Sequence, residues 1–221
     1  MSKPVAWSYS ALDSFETCGW RHYLTRVSKQ VADPPGEAAK WGLEAHKAFE
    51  NHLKHRTPLP EALLPYAPLC RSLITAGGKL LVEHQIALTK DFRTTTWFGK
   101  DVWVRSVVDA GVDKGRKLVA CDWKLGRRKV DSAQMRLFAA NLFHSRPHVN
   151  EITTLFMWLP DKKADKEVFY RADLPELWKE FLPRVRRLEI AHEEQKWPKR
   201  PSGLCKKWCP VPPDQCEFRH G

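Results

Sequence analysis

Nothing in these 221 residues approaches the run of roughly 18 apolar residues that a membrane-spanning helix requires, so no span is expected. The opening stretch, MSKPVAWSYSALDSF, lacks the basic-then-apolar plan of a secretory signal, and a cytoplasmic setting is the expectation. There is no internal repeat and no low-complexity block, which excludes a solenoid array and a compositionally disordered chain. Acidic residues are the minority: 26 Asp and Glu stand against 37 Lys and Arg, a formal charge of +11. A basic excess of this size points to a polyanionic partner, most often nucleic acid, with a merely well-solvated surface as the plain alternative.

What is present is enough for a globular domain. Hydrophobic residues make up 43% of the chain, which supports one sizeable core. Most of the ten tryptophans are expected in that core, with one or two able to stack on unpaired bases. Six cysteines in a reducing compartment argue for metal binding or inert burial and against a disulfide framework. Cys70 and Cys121 sit in apolar segments and read as small core residues. Cys205, Cys209 and Cys216 crowd the tail GLCKKWCPVPPDQCEFRHG, which holds little else to keep it folded, and Cys18 stands alone near the other end.

Hydrophobic periodicity divides the chain into three parts of a single domain, 1–78, 79–195 and 196–221. In the first, SYSALDSFETCGWRHYL reads as a short helix opened by Ser8 or Ser10, with Leu12, Phe15 and Tyr23 towards the core. A longer helix is expected from about Glu37 to Lys54, then a helical stretch broken by Pro65 and Pro68 and closed at Gly77-Gly78. From Lys79 the pattern turns strand-like through KLLVEHQIAL, TTTWFG, DVWVRSVVDAGV and KLVACDWKL. DSAQMRLFAANLFHS returns to helix, EITTLFMWLP to strand and EVFYRA to a short edge strand, before a long helix from about Leu174 to Gln195. The order implies a mixed sheet flanked by helices, an α/β or α+β domain.

The stretch VVDAGVDKGRKLVACDWKLG, residues 107–126, puts charge where a half-buried hairpin should pack. With its loop centred on Lys114-Gly115, Asp109 faces Ala120 and Val107 faces Asp122. Side chains alternate and opposed residues share a face, so Asp109, Asp122 and Lys124 emerge on one side, with Val108, Val119, Cys121 and Trp123 on the other. Two carboxylates this close repel unless a cation lies between them or one keeps its proton. Hard oxygen ligands at this spacing suit Mg²⁺ or Mn²⁺, and an adjacent lysine suits charge developing on a phosphoryl group. Surface ion pairs are the bland alternative, since D-x-K alone is common.

These residues resemble the PD-(D/E)xK nuclease superfamily, and within it the RecB-like exonuclease branch, which includes CRISPR-adaptation and AddB-type nuclease domains. The similarity runs through SYSALDSFETCGWRHYL (with Tyr23 one residue later than usual), GLEAHKAFE, VVDAGV, CDWKLG and QMRLFAANLF. It implies a restriction-endonuclease-like sheet and a catalytic core of Asp109, Asp122 and Lys124, with Asp109, Asp122 and the main-chain carbonyl of Trp123 on the metal. Gly42, His46 and Glu50 recur on one helix face; the glycine would allow close approach, and the resemblance makes His46 a metal ligand. Glu83 matches a position where a strand carboxylate enters the site, and Gln134 matches the glutamine of a Q-x-x-x-Y helix motif. Phe138 replaces that motif's tyrosine and so loses a hydroxyl. Arg127, Arg128 and Lys129 follow the catalytic strand and are candidates for phosphate contacts, a solvated turn being the alternative.

Some members of the branch hold a [4Fe–4S] cluster with one cysteine near the N-terminus and three near the C-terminus. Cys18 with Cys205, Cys209 and Cys216 reproduces that split, although the tail reads C-x3-C-x6-C where the family has C-x2-C-x5-C, which leaves zinc open. The whole implies a metal-dependent DNA exonuclease, acting on a free and single-stranded end, in phage or bacterial recombination, repair or end processing. A structure-specific endonuclease and a non-catalytic, cluster-containing nucleic-acid-binding subunit are its rivals.

Overall fold

The structure, a computed structural model, describes residues 4–126, 128 and 133–219. Its elements begin with α1 (Tyr9–Thr17), α2 (Gly19–His22), a π-helical turn (Tyr23–Val27), α3 (Glu37–His55), a 3₁₀ turn (Glu61–Tyr66) and α4 (Ala67–Thr75). Strands β1 (Lys79–Leu88), β2 (Val104–Asp113) and β3 (Lys117–Lys124) follow, then α5 (Ala133–Ser145), β4 (Glu151–Trp158) and β5 (Lys163–Tyr170). The chain closes through α6 (Leu174–Glu194) and α7 (Leu204–Lys207). Two compact units result, one from Met1–Ala6 and Pro35–Lys179, the other from Trp7–Pro34 and Glu180–Gly221. No helix of the described residues is long and apolar enough to cross a membrane.

The first unit is built on a five-stranded sheet in the order β1-β2-β3-β4-β5. All neighbours are antiparallel except β3 and β4, which run parallel. A parallel pair needs a crossover, and α5 supplies it. This is a mixed sheet flanked by helices, the α/β architecture of a restriction-endonuclease-like domain. Ala45, Phe49 and Leu53 of α3 and Cys70 and Leu73 of α4 pack with Ala110, Val112, Cys121 and Trp123 from the sheet. Their spacing of three and four residues makes one apolar helix stripe, which has to be buried against something flat. Met135 of α5 packs with Phe156 and Trp158 of β4, and α5 is buried almost throughout. Cys70 and Cys121 are buried, as expected of core residues. Gly111 is required at its place because a Cβ there would lie 2.5 Å from the Val119 carbonyl oxygen.

Two local expectations are corrected. The hairpin turns one residue later than expected: Lys114 N–H donates to Lys117 O at 2.8 Å, Gly111 pairs with Ala120, and Ala110 with Cys121. This slides the register by two residues, so every side chain keeps its face. TTTWFG is not a strand; Thr94 makes one isolated bridge to Leu88, Trp97 and Phe98 form a turn, and the rest is irregular. EVFY of EVFYRA lies in the edge strand β5, which starts earlier than expected at Lys163, while Arg171 and Ala172 open a 3₁₀ turn.

In the second unit, the Ser8 hydroxyl caps α1 by accepting from Ala11 N–H at 3.3 Å. Leu12 and Phe15 are buried as read, and Phe15, His22, Tyr23 and Trp197 form an aromatic group. Trp20 Nε1 donates to the Gln215 carbonyl at 2.9 Å, which ties the proline-rich tail to this group.

Candidate active site

The site is set by an interruption in the sheet. The β1–β2 ladder pairs Val82 with Ala110 and His84 with Val108, and omits Glu83 and Asp109 between them. Glu83 has φ +47, a left-handed backbone that costs a non-glycine residue free energy and concentrates at functional positions. On the other side of β2, the ladder with β3 ends at Ala110 and Cys121. Asp109 occupies the opening: its Oδ2 accepts from the Trp123 N–H at 2.8 Å, where a strand carbonyl would otherwise serve.

Helix α3 delivers His46 to the same place. Its Nδ1 lies 3.3 Å from Asp109 Oδ2 and its Nε2 lies 3.0 Å from the Trp123 carbonyl oxygen. Phe49, one turn along, places its ring 4.8 Å from that of Trp123, which seats the helix. One ligand atom each from His46, Glu83 and Asp109 lie within 4.8 Å of one another. Burial opposes charge on His46, but Asp109, Asp122 and Glu83 outweigh it and raise its pKa. Burial, then the charge of Asp109, raises that of Glu83. A nitrogen and two carboxylates this close, with the Trp123 carbonyl beside the imidazole, form a donor set suited to a divalent cation, the oxygens favouring Mg²⁺ or Mn²⁺.

Asp122 and Lys124 lie beside this cluster in a second arrangement. Asp122 is buried, and its Oδ2 is 2.7 Å from Lys124 Nζ. Gln134, in the first turn of α5, donates from Nε2 to Asp122 Oδ1 at 3.1 Å and accepts from Lys124 Nζ at 2.8 Å. The three side chains therefore close a triangle. Burial foremost, then the charge of Asp109, pushes the Asp122 carboxyl up to about 7 against the pull of Lys124. Lys124 Nζ also sits 4.5 Å from the centre of the Phe156 ring. Phe156 escaped the sequence reading; only the parallel register, which pairs it with Asp122, puts it there.

Other expected residues fall elsewhere. Glu50 is held by Lys47 and Lys54 at 2.8 and 2.7 Å. A Cβ at Gly42 would meet nothing within 4 Å, so no close approach depends on that glycine. Phe138 is a buried core residue. Arg128 makes a bidentate pair with Asp165, which also accepts from Trp158 Nε1 at 2.6 Å. Arg127 and Lys129 lie outside the described residues.

In the second unit, Cys18, Cys205, Cys209 and Cys216 line one pocket, together with Trp20 and Arg219. All four are free thiols. The fold thus gathers four cysteines separated by nearly the whole chain.

Two solved structures are similar to this chain. It resembles the crystal structure of SSO0001 at 13% identity, over 98% of this chain and 89% of that one, with a TM-score of 0.43. It also resembles a structure named "Putative exonuclease" from Eubacterium rectale at 12% identity, over 91% and 86% of the two chains, with a TM-score of 0.49. No curated protein matches. The family model of the PD-(D/E)XK nuclease superfamily matches residues 6–217, which include both the carboxylate cluster and the four cysteines. On that match across nearly its full length, the chain belongs to the PD-(D/E)XK nuclease superfamily.

Proposed function

We propose that this nuclease is a divalent-metal-dependent deoxyribonuclease that hydrolyses phosphodiester bonds from a free, single-stranded DNA end. The observation that carries the hydrolytic reading is the convergence of His46, Glu83 and Asp109 on one point beside the Asp122–Lys124–Gln134 triangle. His46, Glu83, Asp109 and the Trp123 carbonyl would hold Mg²⁺ or Mn²⁺, with Asp122 at its margin. A cation bound there acidifies water and neutralises charge on the scissile phosphate. Asp109, fixed by the Trp123 N–H, gives the ligand set a rigid member. Lys124, held by Asp122 and Gln134, keeps its ammonium aimed beside the carboxylates, where it can stabilise charge that grows on a phosphoryl oxygen. Substrate attraction follows from the charge of +11, and affinity should fall steeply with salt.

Cys18, Cys205, Cys209 and Cys216 would hold a [4Fe–4S] cluster with a structural role. The four cysteines lining one pocket, one from near the N-terminus and three from the tail, support this reading, with zinc as the alternative. Reduced cysteines and a DNA substrate fit a cytoplasmic protein of recombination, repair or end processing.

The test is incubation of pure protein with end-labelled linear single-stranded DNA and with a covalently closed circle of the same sequence, in Mg²⁺ or Mn²⁺ and in EDTA. Metal-dependent degradation of the linear strand alone is expected. Equal cutting of both forms makes the protein an endonuclease, and binding without cutting makes it a non-catalytic subunit.

A further inference from the structure

Hydrogen bonds hold the Lys124 ammonium on two sides. It lies 2.7 Å from Asp122 Oδ2 and donates to Gln134 Oε1 at 2.8 Å. An ammonium carries three N–H donors on a flexible four-carbon stem, so two partners fix an arc and not a point. The face of the Phe156 ring closes the third side, with Nζ 4.5 Å from its centre. That ring is itself fixed. It is 3% exposed, packs with Met135 of α5, and meets the Trp158 ring edge-on at 5.7 Å. Trp158 Nε1 donates to Asp165 Oδ2 at 2.6 Å, and the Arg128 guanidinium holds Asp165 in turn. Strand register makes this row, since Asp122 pairs with Phe156 in the parallel ladder and Phe156 with Asp165 in the antiparallel one. Paired residues share a face of the sheet.

A plain core residue at this position needs only apolar volume. The cation over the ring asks for more. An aromatic face carries negative charge density and attracts an ammonium, but it offers no lone pair. A further carboxylate there would also hold Lys124, yet it would take the last N–H and cancel the charge that a phosphoryl oxygen needs. Among the described residues the ammonium has no oxygen or nitrogen partner besides Asp122 and Gln134. We propose that Phe156 is a positioning residue for the hydrolysis: its ring face fixes the Lys124 ammonium beside Asp122 and leaves one donor for the phosphate. This rests on the nuclease reading above. A group that stabilises charge growing in the transition state raises kcat only while it stays aimed. The ring therefore acts on the rate and leaves the affinity for DNA alone.

The experiment replaces Phe156 with mono-, di- and trifluorophenylalanine, which nearly keep the size of the ring and withdraw charge from its face in steps. Single-turnover cleavage of a dye-labelled DNA strand in Mn²⁺ gives the rate, and anisotropy of the same strand in EDTA gives the Kd. The rate should fall with each fluorine, about tenfold in all, within the range for a part-buried cation over a ring. The Kd should stay within about twofold of wild type, and the melting temperature should not follow the series. Phe156→Leu, which keeps apolar volume without a ring face, should lose at least as much rate. Equal rates across the fluorinated series, in a protein that cuts, leave Phe156 as core packing and overturn this inference alone. A rate that falls only in step with the melting temperature, or a loss carried by the Kd, overturns it as well. Wild type that does not cut sinks the nuclease reading and this inference with it.

Discussion

Asp109 Oδ2 accepts the Trp123 main-chain N–H at 2.8 Å, so a side chain takes the place of a strand carbonyl at the centre of the sheet. The same carboxylate faces His46 and Glu83. Asp109 is therefore both part of the fold and part of the cluster, and its substitutions separate the two roles. Asp109→Asn keeps an acceptor oxygen for Trp123 but loses the negative charge, so its urea midpoint should stay near wild type while turnover drops at least about a hundredfold. Asp109→Ala leaves the buried N–H without an acceptor and should also lose about 1–3 kcal/mol of stability. Urea melts alongside a cleavage assay check both; equal stability of the two variants would remove Asp109 from the fold.

The triangle of Asp122, Lys124 and Gln134 predicts a graded series. Lys124→Ala and Asp122→Ala should each lower turnover at least about a hundredfold, with DNA affinity changed far less. Gln134→Ala removes a support of both, and the expected loss is smaller, about tenfold, the scale of roughly 1.4 kcal/mol. Single-turnover rates at saturating DNA measure this. Wild-type rates in the Lys124 and Asp122 variants would place the chemistry elsewhere.

Metal should stabilise the protein through the cluster. Mn²⁺ at a hundred times its Kd adds about 2.7 kcal/mol if it binds only the folded chain. The melting temperature should therefore rise with Mn²⁺ in wild type and rise much less in His46→Ala. Calorimetry of both with and without metal makes the comparison, and an equal rise would show that His46 is not a ligand.

His22 predicts a pH dependence in the second unit. Burial first, then Arg26 and His192, lowers its pKa to about 4 from an ordinary value of 6.5. Between these values the unfolded chain takes up a proton that the folded chain refuses. The contribution is thus intact above about pH 6.5 and is lost as pH falls towards about 4, to a limit of about 3 kcal/mol. His22→Phe, which keeps an aromatic ring, should flatten that part of the stability–pH curve. Denaturant melts from pH 7.5 to 4.5 would show it, and an unchanged slope would mean that His22 titrates normally.

The cysteine pocket predicts colour. Anaerobically purified protein should be brown, absorb broadly near about 400 nm and contain iron and sulfide. Cys209→Ala should be colourless and less stable. Stoichiometric zinc without iron would leave a metal staple and no cluster.

Much of this was legible in sequence because it depends on parity and period. Asp109, Asp122 and Lys124 keep a common face although the hairpin turns one residue later than read, since sliding the register by two residues preserves every side-chain direction. The apolar stripe of α3 and the alternation in β4 likewise follow from 3.6 and 2.0 residues per repeat. TTTWFG failed for the converse reason: its alternating look carries no register, and only Thr94 meets a neighbouring strand, while Arg105 Nε donates to the Trp97 carbonyl in the turn.

The sequence by itself determined which residue types were available and which of them shared a strand or helix face, because those are local properties of the chain. Only the tertiary structure decided that Glu83 would leave the ladder with a left-handed backbone, that Asp109 would fill the opening at Trp123, and that Asp122 would turn to Lys124 and Gln134. It also decided that Cys18 would meet three cysteines nearly two hundred residues away. Contacts of that kind depend on how packed elements share a small space and satisfy buried polar groups, and no local period encodes them.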